Sequence, residues 1–213
     1  MQLAVSSSLD QRSADILALV RQAFVDKGFD GASMQDLARA AGMSVGNFYR
    51  YFPSKSAIVL ALIDYDLSQI QRDFQLIIQA PQPMSALREG LRQRIDGTIC
   101  DHDHDLWTEI EATARRSPEI GAAAHRMEQA AIDAMLAVFV AETGLPVAEV
   151  VRRFTASAAF VVLLFKSGSC LRSQINSDQS ELKSMIIRSI DQTLDAVLTA
   201  ARPAKPAKPA KLD

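Results

Sequence analysis

Hydrophobic positions recur every three or four residues along most of the chain, which is the spacing of amphipathic α-helices. Ile16, Val20 and Phe24, for example, fall on one face of a predicted first helix. The longest apolar block, residues 156–165, is too short to span a bilayer and is typical of a helix buried on every side. No segment alternates apolar and polar residues long enough to be a convincing strand. The pattern predicts an all-α fold.

Capping signals and helix breakers set the predicted boundaries. Ser8, with Gln11 three positions later, predicts the start of the first helix, and Gly28 predicts its end. After a break at Pro53–Ser54, a long helix should run to the PQP segment at residues 81–83, which is the predicted boundary between regions. Further helices are predicted over residues 84–100, 106–116, 118–142, 147–171 and 178–201.

Two short helices are predicted between Gly28 and this break. Ser33 starts one that turns Leu37 and Ala38 inward, and Ser44 starts the next. Ala38 lets the two helices cross closely and Gly42 makes the turn between them, a spacing typical of a helix-turn-helix.

The third helix has two unlike faces. At about 100° per residue, Phe48 and Phe52 share one direction, with Val45 beside them. The opposite direction is polar or bare, because it holds Gly46, Asn47 and Arg50.

This bare face suits a DNA major groove. Gly46 removes the side chain where the backbone must come closest, and Asn47 and Arg50 can reach base edges or phosphate oxygens. Tyr49 and Tyr51 flank the face, where a ring can pack on the protein while its hydroxyl bonds a phosphate.

Groups at the helix starts suit the same ligand. Ser33 and Ser44 expose backbone N–H groups toward anions, and Lys55 adds a positive charge after the proline break. The alternative is three ordinary core helices, in which these serines only cap, the tyrosines pack, and Arg50 and Lys55 are solvated.

The run GFDGASMQDLARAAGMSVGNFYRYFPSKSAIVLAL, residues 28–62, resembles the N-terminal domain of the TetR family of bacterial transcriptional regulators. The shared pattern is glycine-aromatic, a small hydroxyl residue, DLA, AG, serine-x-glycine, tyrosine-x-aromatic-phenylalanine and a lysine three residues later. The resemblance implies phosphate contacts by Ser33, Ser44, Tyr49, Tyr51 and Lys55, and places Val45, Gly46 and Asn47 nearest the bases. Tyr51 stands where histidine is common, and Val45 replaces a frequent polar residue, which leaves only apolar contact there.

The resemblance also implies a helical C-terminal domain that holds a small-molecule effector and forms a homodimer through its last two long helices. Broad apolar surface in residues 147–171 and 182–198 independently favours a bundle across a twofold axis. The double-stranded DNA operator of such a dimer should be roughly palindromic. The expected domains are residues 1–55, residues 56–201 and an extended Pro-Ala-Lys tail at 202–213.

Aromatic and methionine side chains are the candidates for the effector pocket, although each also suits a plain core position: Trp107, Met127, Met135, Phe139 and Phe160. Glu109 and Glu111 could hold the charge of a cationic ligand or lie on the surface. We expect an effector to shift the long fourth helix and release the dimer from its operator, as a repressor.

Charge and composition are compatible with this interpretation. The net charge is -2, but residues 1–55 carry six Lys/Arg and five Asp/Glu (+1), residues 56–201 carry 13 and 19 (-6), and the tail carries four and one (+3). A front of +1 is too weak to indicate a phosphate partner alone. Without a signal peptide or membrane span, the sequence predicts a cytoplasmic protein that has no membrane partner.

Other classes of function find less support. The segment ICDHDHDLW, residues 99–107, contains residue types that bind metals, but His102 and His104 point about 200° apart on a helix. No metal and no cofactor are therefore expected. Asp105 is better interpreted as a helix cap. An enzyme using the acidic C-terminal region lacks a nucleophile elbow, a phosphate loop or a paired His-Cys arrangement. A protein-binding adaptor acting through the tail, and a redox role for Cys100 or Cys170, stay open.

Overall fold

The structure is a computed structural model that describes residues 2–96, 103–169 and 179–201. Within these residues it is all helical, which confirms the predicted fold class. The helices are α1 (Gln2–Gly31), α2 (Met34–Ala40), α3 (Val45–Tyr51), α4 (Lys55–Gln79), α5 (Pro83–Ile95), α6 (Asp103–Ala114), α7 (Pro118–Thr143), α8 (Val147–Ser169) and α9 (Gln179–Ala201).

Most predicted boundaries agree with these limits to within two residues, but four do not. Helix α1 ends at Gly31, three residues after the predicted end at Gly28. Helix α1 begins at Gln2 rather than at Ser8, because residues 2–8 contain no glycine or proline that would stop it. Helix α5 ends at Ile95, five residues before its predicted end. Helix α6 begins at Asp103, so the predicted cap Asp105 lies within its first turn.

The buried side chains of the described residues form two clusters. The first joins α1, α2, α3 and the first half of α4 to α6 and the start of α7, and it includes Phe24, Phe48 and Ile110. The second joins α5, the end of α7, α8 and α9, and it includes Phe139 and Phe154. The hydrophobic core therefore does not divide at residue 55, because α6 and α7 complete the cluster around the short helices.

Helix α4 connects the two clusters. Ile58, Val59, Leu62 and Ile63 in its first half are buried in the first cluster, and Phe74 near its end packs against the second. A shift of α4 would therefore move groups that contact both clusters.

Ion pairs hold α5 against its neighbours. Arg88 pairs with Asp191 at 3.0 Å and with Asp195 at 2.6 Å, and Arg94 pairs with Asp73 of α4. Such partly exposed pairs fix helix orientation more than they add stability. In the part of the chain that the structure describes, every helix is too short or too polar to cross a membrane.

Candidate nucleic-acid interface

Local hydrogen bonds start the two short helices where the sequence predicts. The Ser33 side chain caps α2 by accepting from Asp36 N at 3.1 Å, and Ser44 caps α3 by accepting from Asn47 N at 3.3 Å. Gly42 lies between the helices with φ of 65°, a left-handed conformation that glycine adopts without strain. The turn is closed by Met43 N, which donates to Ala38 O at 2.9 Å.

The inward face of α3 is aromatic. Phe48 and Phe52 are buried, and their ring centroids lie 5.4 Å apart with the rings tilted by 51°. Both rings belong to the first cluster and fix α3 on the body of the protein. Val45, at the first position of α3, is 37% exposed and therefore accessible, as the base contact implied by the family resemblance requires.

The outward face of α3 is open to solvent. Gly46, Asn47 and Arg50 are all exposed, as the helical spacing predicts. A Cβ atom added at Gly46 would meet no atom of the described residues within 4 Å, so their packing does not require glycine there. The glycine leaves a bare strip of backbone between Val45 and Asn47.

The two tyrosines differ in exposure. Tyr49 is 47% exposed, while Tyr51 is half-buried with its ring centroid 6.4 Å from that of Phe52. Both lie within one turn of the open face, the arrangement expected for side chains that pack on one side and present a hydroxyl on the other.

Lys55 is engaged by the protein rather than solvated. Its ammonium donates to Phe29 O at 2.8 Å and Asp30 O at 3.1 Å, and it lies 5.0 Å from the centroid of the Phe29 ring. These contacts tie the first residue of α4 to the end of α1. These are its two hydrogen-bond acceptors within the described part of the chain, so the third N–H donor remains for another acceptor.

The end of α1 is held from the other side by α6. Gly28 breaks the helix with φ of 69° and ψ of 166°, which turns Phe29 N toward Glu109 Oε2 at 2.9 Å. Arg116, just after α6, reaches Asp30 at 3.4 Å. The backbone of Phe29 therefore connects Glu109 of α6 with Lys55 of α4.

Glu111, the second acidic candidate for a cationic ligand, is also occupied. It pairs with Lys166 of α8 at 2.9 Å, and Glu128 of α7 lies 3.7 Å from the same ammonium. Burial alone would lower the pKa of Lys166, but the hydrogen bond and charge of Glu111, with the charge of Glu128, raise it above its ordinary value.

The five predicted effector-pocket residues do not come together. Trp107 and Met127 are half-buried against the first cluster, whereas Met135 and Phe139 are buried in the second. Phe160 is 46% exposed on α8. Their assignment to an effector pocket stays a prediction, and helical spacing does not distinguish two adjacent cores and an outer face.

Residues 99–107, whose residue types are those of metal ligands, lie largely outside the side chains that the structure describes. The side chains of His102, His104 and Asp105, and both cysteines, are outside the described residues. Among the side chains that are described, no group of three or more His, Cys, Asp or Glu is arranged to hold a metal ion.

Two features of the site were not predicted from the sequence. Glu109 accepts from a residue 80 positions earlier, and nothing local in the sequence indicates such a pair. Lys27 pairs with Asp36 at 2.7 Å, beside the Ser33 cap. The spacing of Ser33 and Asp36 is that of a capping box and could have indicated this carboxylate.

Comparison with known proteins agrees with the family resemblance of residues 28–62. The family described as bacterial regulatory proteins, tetR family, matches residues 16–62. The HTH-type transcriptional regulator EthR of Mycolicibacterium smegmatis is 38% identical over 84 residues, which are 38% of this chain and 39% of that protein. The chain thus matches about two fifths of the length of this relative. The HTH-type transcriptional activator FasR of the same organism is 25% identical over 139 residues, 64% of this chain and 62% of that protein.

The fold also matches solved structures along most of its length. A TetR-family regulator structure from Mesorhizobium loti superposes with a TM-score of 0.62 at 20% identity and covers 90% of this chain and 96% of that one. At this identity the likeness shows the fold alone. Residues 16–62 thus match the tetR family of bacterial regulatory proteins, and the fold of the chain is similar to that of a TetR-family structure.

Proposed function

We propose that the protein is a ligand-responsive, DNA-binding transcriptional regulator, and that it is a repressor which a small-molecule effector releases from a palindromic operator. It acts by binding rather than by catalysis. Residues 1–55 form the DNA-binding part, residues 56–201 the effector-binding and dimerisation part, and residues 202–213 a separate tail.

The observation that carries the proposal is the two-sided α3. Phe48 and Phe52 fix one side in the core, and the other side exposes the bare backbone at Gly46 between polar side chains. A major groove admits an α-helix whose outward residues reach base edges, and a missing side chain allows a close approach. In this arrangement Asn47 and Arg50 contact bases or phosphates and Val45 contacts a thymine methyl.

The remaining predicted contacts surround this helix. Ser44 and Tyr49 are exposed beside it, and we assign them to phosphates. Tyr51 contributes through its hydroxyl, with its ring packed inward. Lys55 uses two of its donors on the end of α1, so its phosphate contact would come from the third.

A homodimer supplies the second copy of the DNA-contacting helix α3. Helices α8 and α9 leave large apolar side chains exposed, which are Val147, Val151, Phe160, Leu163 and Met185. Surface of this kind favours a subunit interface. In the dimer, two copies of α3 would face successive major grooves roughly 34 to 36 Å apart. We therefore assign Phe160 to the dimer interface rather than to the effector pocket.

The effector site is proposed beside α6. Trp107 and Met127 are half-buried there, where an effector could displace them at low cost. Met135 and Phe139 are only 2% and 0% exposed and would contact an effector only if the second cluster opened. An effector beside α6 would act on the hydrogen bond from Phe29 N to Glu109, and so on the position of Lys55 as well as on α4.

Binding to DNA tests the proposal directly. Duplexes enriched from a randomised library by the purified protein provide the probe, and fluorescence anisotropy measures affinity. Asn47→Ala combined with Arg50→Ala should weaken binding at least tenfold, at about 1–3 kcal/mol for each lost base contact. Arg126→Ala, which removes an exposed charge from α7, is the matched control and should bind normally.

Two results would count against the proposal: no enriched duplex for the wild-type protein, or equal affinity for the double variant. A reporter gene downstream of the enriched site then tests the direction of regulation. Repression requires reporter expression to fall when the protein is present, and a rise would assign activation instead.

A further inference from the structure

A cluster of three side chains lies where α1 meets the start of α2. Lys27 Nζ donates to Asp36 Oδ1 at 2.7 Å. The other carboxylate oxygen, Oδ2, accepts from Ser33 Oγ at 2.5 Å and from Ser33 N at 3.1 Å. Lys27 stays 46% exposed, whereas Asp36 is 22% exposed, so the ammonium is the outer group of the cluster.

The hydrogen-bond capacity of Ser33 is already used. A serine hydroxyl has one proton, and a carboxylate has none, so the proton between Ser33 Oγ and Asp36 must come from the serine. The bonds from Lys27 and Ser33 lower the pKa of Asp36 well below its ordinary value, which keeps it ionised. The same hydroxyl oxygen also accepts from Asp36 N. Ser33 Oγ could donate to a phosphate only by giving up its bond to Asp36.

Among the residues that the structure describes, Lys27 has one hydrogen-bond acceptor, so its ammonium keeps free donors. An ammonium has three donors, and the contact with Asp36 uses one of them. Arg39 Nη1 lies 3.7 Å from the same carboxylate and its side chain is 80% exposed, so Lys27, Asp36 and Arg39 together carry a charge of +1. The carboxylate therefore orients the lysine without cancelling the positive charge of this corner.

We propose that Lys27, oriented by Asp36, is the phosphate-binding side chain at the start of α2, and that the Ser33 hydroxyl holds Asp36 instead of contacting the DNA. This inference rests on the proposed DNA-binding function. It replaces one phosphate contact implied by the family resemblance with a residue that lies outside the shared motif. Holding the lysine in one orientation before binding reduces the side-chain entropy lost on contact.

Salt dependence provides the first test, because each neutralised phosphate contributes about 0.9 to the slope of log K against log salt. Lys27→Ala should lower the magnitude of the slope by about 1.8 for the two protomers of a dimer. Between 50 and 200 mM salt, its affinity should therefore fall about tenfold less than that of the wild type. Lys27→Arg should restore the slope, and Arg126→Ala should leave it at the wild-type value.

A scan with neutral methylphosphonates provides the second test. One phosphate at a time is replaced in the enriched duplex, and the affinity of each variant is measured. The Lys27 contact is the position at which the replacement lowers the affinity of the wild type but does not change that of Lys27→Ala. Ser33→Ala should stay sensitive at that position. Thermal melting verifies that each variant is folded, and Lys27→Gln replaces Lys27→Ala if the alanine variant is not.

Three outcomes would overturn the inference. An unchanged salt slope for the lysine variants would make Lys27–Asp36 an ordinary surface ion pair. If Ser33→Ala is insensitive to the methylphosphonate at that position while Lys27→Ala is still sensitive, the serine hydroxyl makes the phosphate contact. Absence of DNA binding by the wild type would remove the proposed function and this inference together, whereas normal binding with either of the first two results removes only the inference.

Discussion

Replacing Gly46 should make the protein more stable and a weaker DNA binder. The residue occupies the second position of α3, and an added Cβ would meet no atom within 4 Å. Glycine is less favourable than alanine in a helix by about 1 kcal/mol, so Gly46→Ala should stabilise the protein by about 0.5–1 kcal/mol. For a chain of this size, that gain raises Tm by about 1–4 °C.

Replacing Gly46 should lower the affinity for DNA. A leucine at Gly46 would stand between α3 and the groove floor and lengthen the contacts of Asn47 and Arg50, each valued at about 1–3 kcal/mol. We expect Gly46→Leu to weaken binding at least tenfold, and Gly46→Ala to lie between it and the wild type.

The assay pairs thermal melting with fluorescence anisotropy on the enriched duplex. Gly90 of α5 is the matched control, because an added Cβ there also meets nothing within 4 Å. Gly90→Leu should leave DNA affinity unchanged. If Gly46→Leu binds as tightly as the wild type, the backbone of α3 does not approach the DNA, and the reasoning from the bare face is refuted.

Three further predictions follow from other contacts. Glu109→Ala removes the acceptor of Phe29 N and should cost about 1–2 kcal/mol in urea denaturation, whereas Glu109→Gln, which keeps an acceptor oxygen, should lose less. The pKa of Asp36 is lower in the folded than in the unfolded state, so the stability that its ionised form contributes is present above about pH 4 and is lost as the pH falls further. Urea denaturation at pH 7 and pH 3 should therefore show a smaller loss of unfolding free energy at low pH for Asp36→Asn than for the wild type. Phe160→Glu should shift the protein from dimer to monomer in analytical ultracentrifugation, and an unchanged dimer would place the interface elsewhere.

The sequence predicts the helix-turn-helix well because its determinants are local. Ser33 and Ser44 bond to residues three positions later, and Gly42 makes its own turn. The separation of Phe48 and Phe52 from the exposed face of α3 needs only the helical period. Val45 lies beside the phenylalanines in the helical period but is exposed, because the first residue of a two-turn helix has no preceding turn to cover it.

Contacts between distant segments could not be predicted. Phe29 and Glu109 are 80 positions apart, so their hydrogen bond depends on how α1 packs against α6. Phe160 has the apolar character of both a pocket residue and an interface residue, and only the packing of α8 shows that it faces outward. Composition alone likewise could not show that Trp107 and Phe139 belong to two different buried clusters.

Methylation interference on the enriched duplex tests the central claim most directly, because it distinguishes guanine N7 in the major groove from adenine N3 in the minor groove. We predict interference at guanine N7 in two patches roughly 34 to 36 Å apart, with at least one position in each patch lost in Arg50→Ala. Interference confined to adenine N3, or a major-groove pattern that is the same for wild type and Arg50→Ala with Asn47→Ala, would contradict the placement of α3 in the groove.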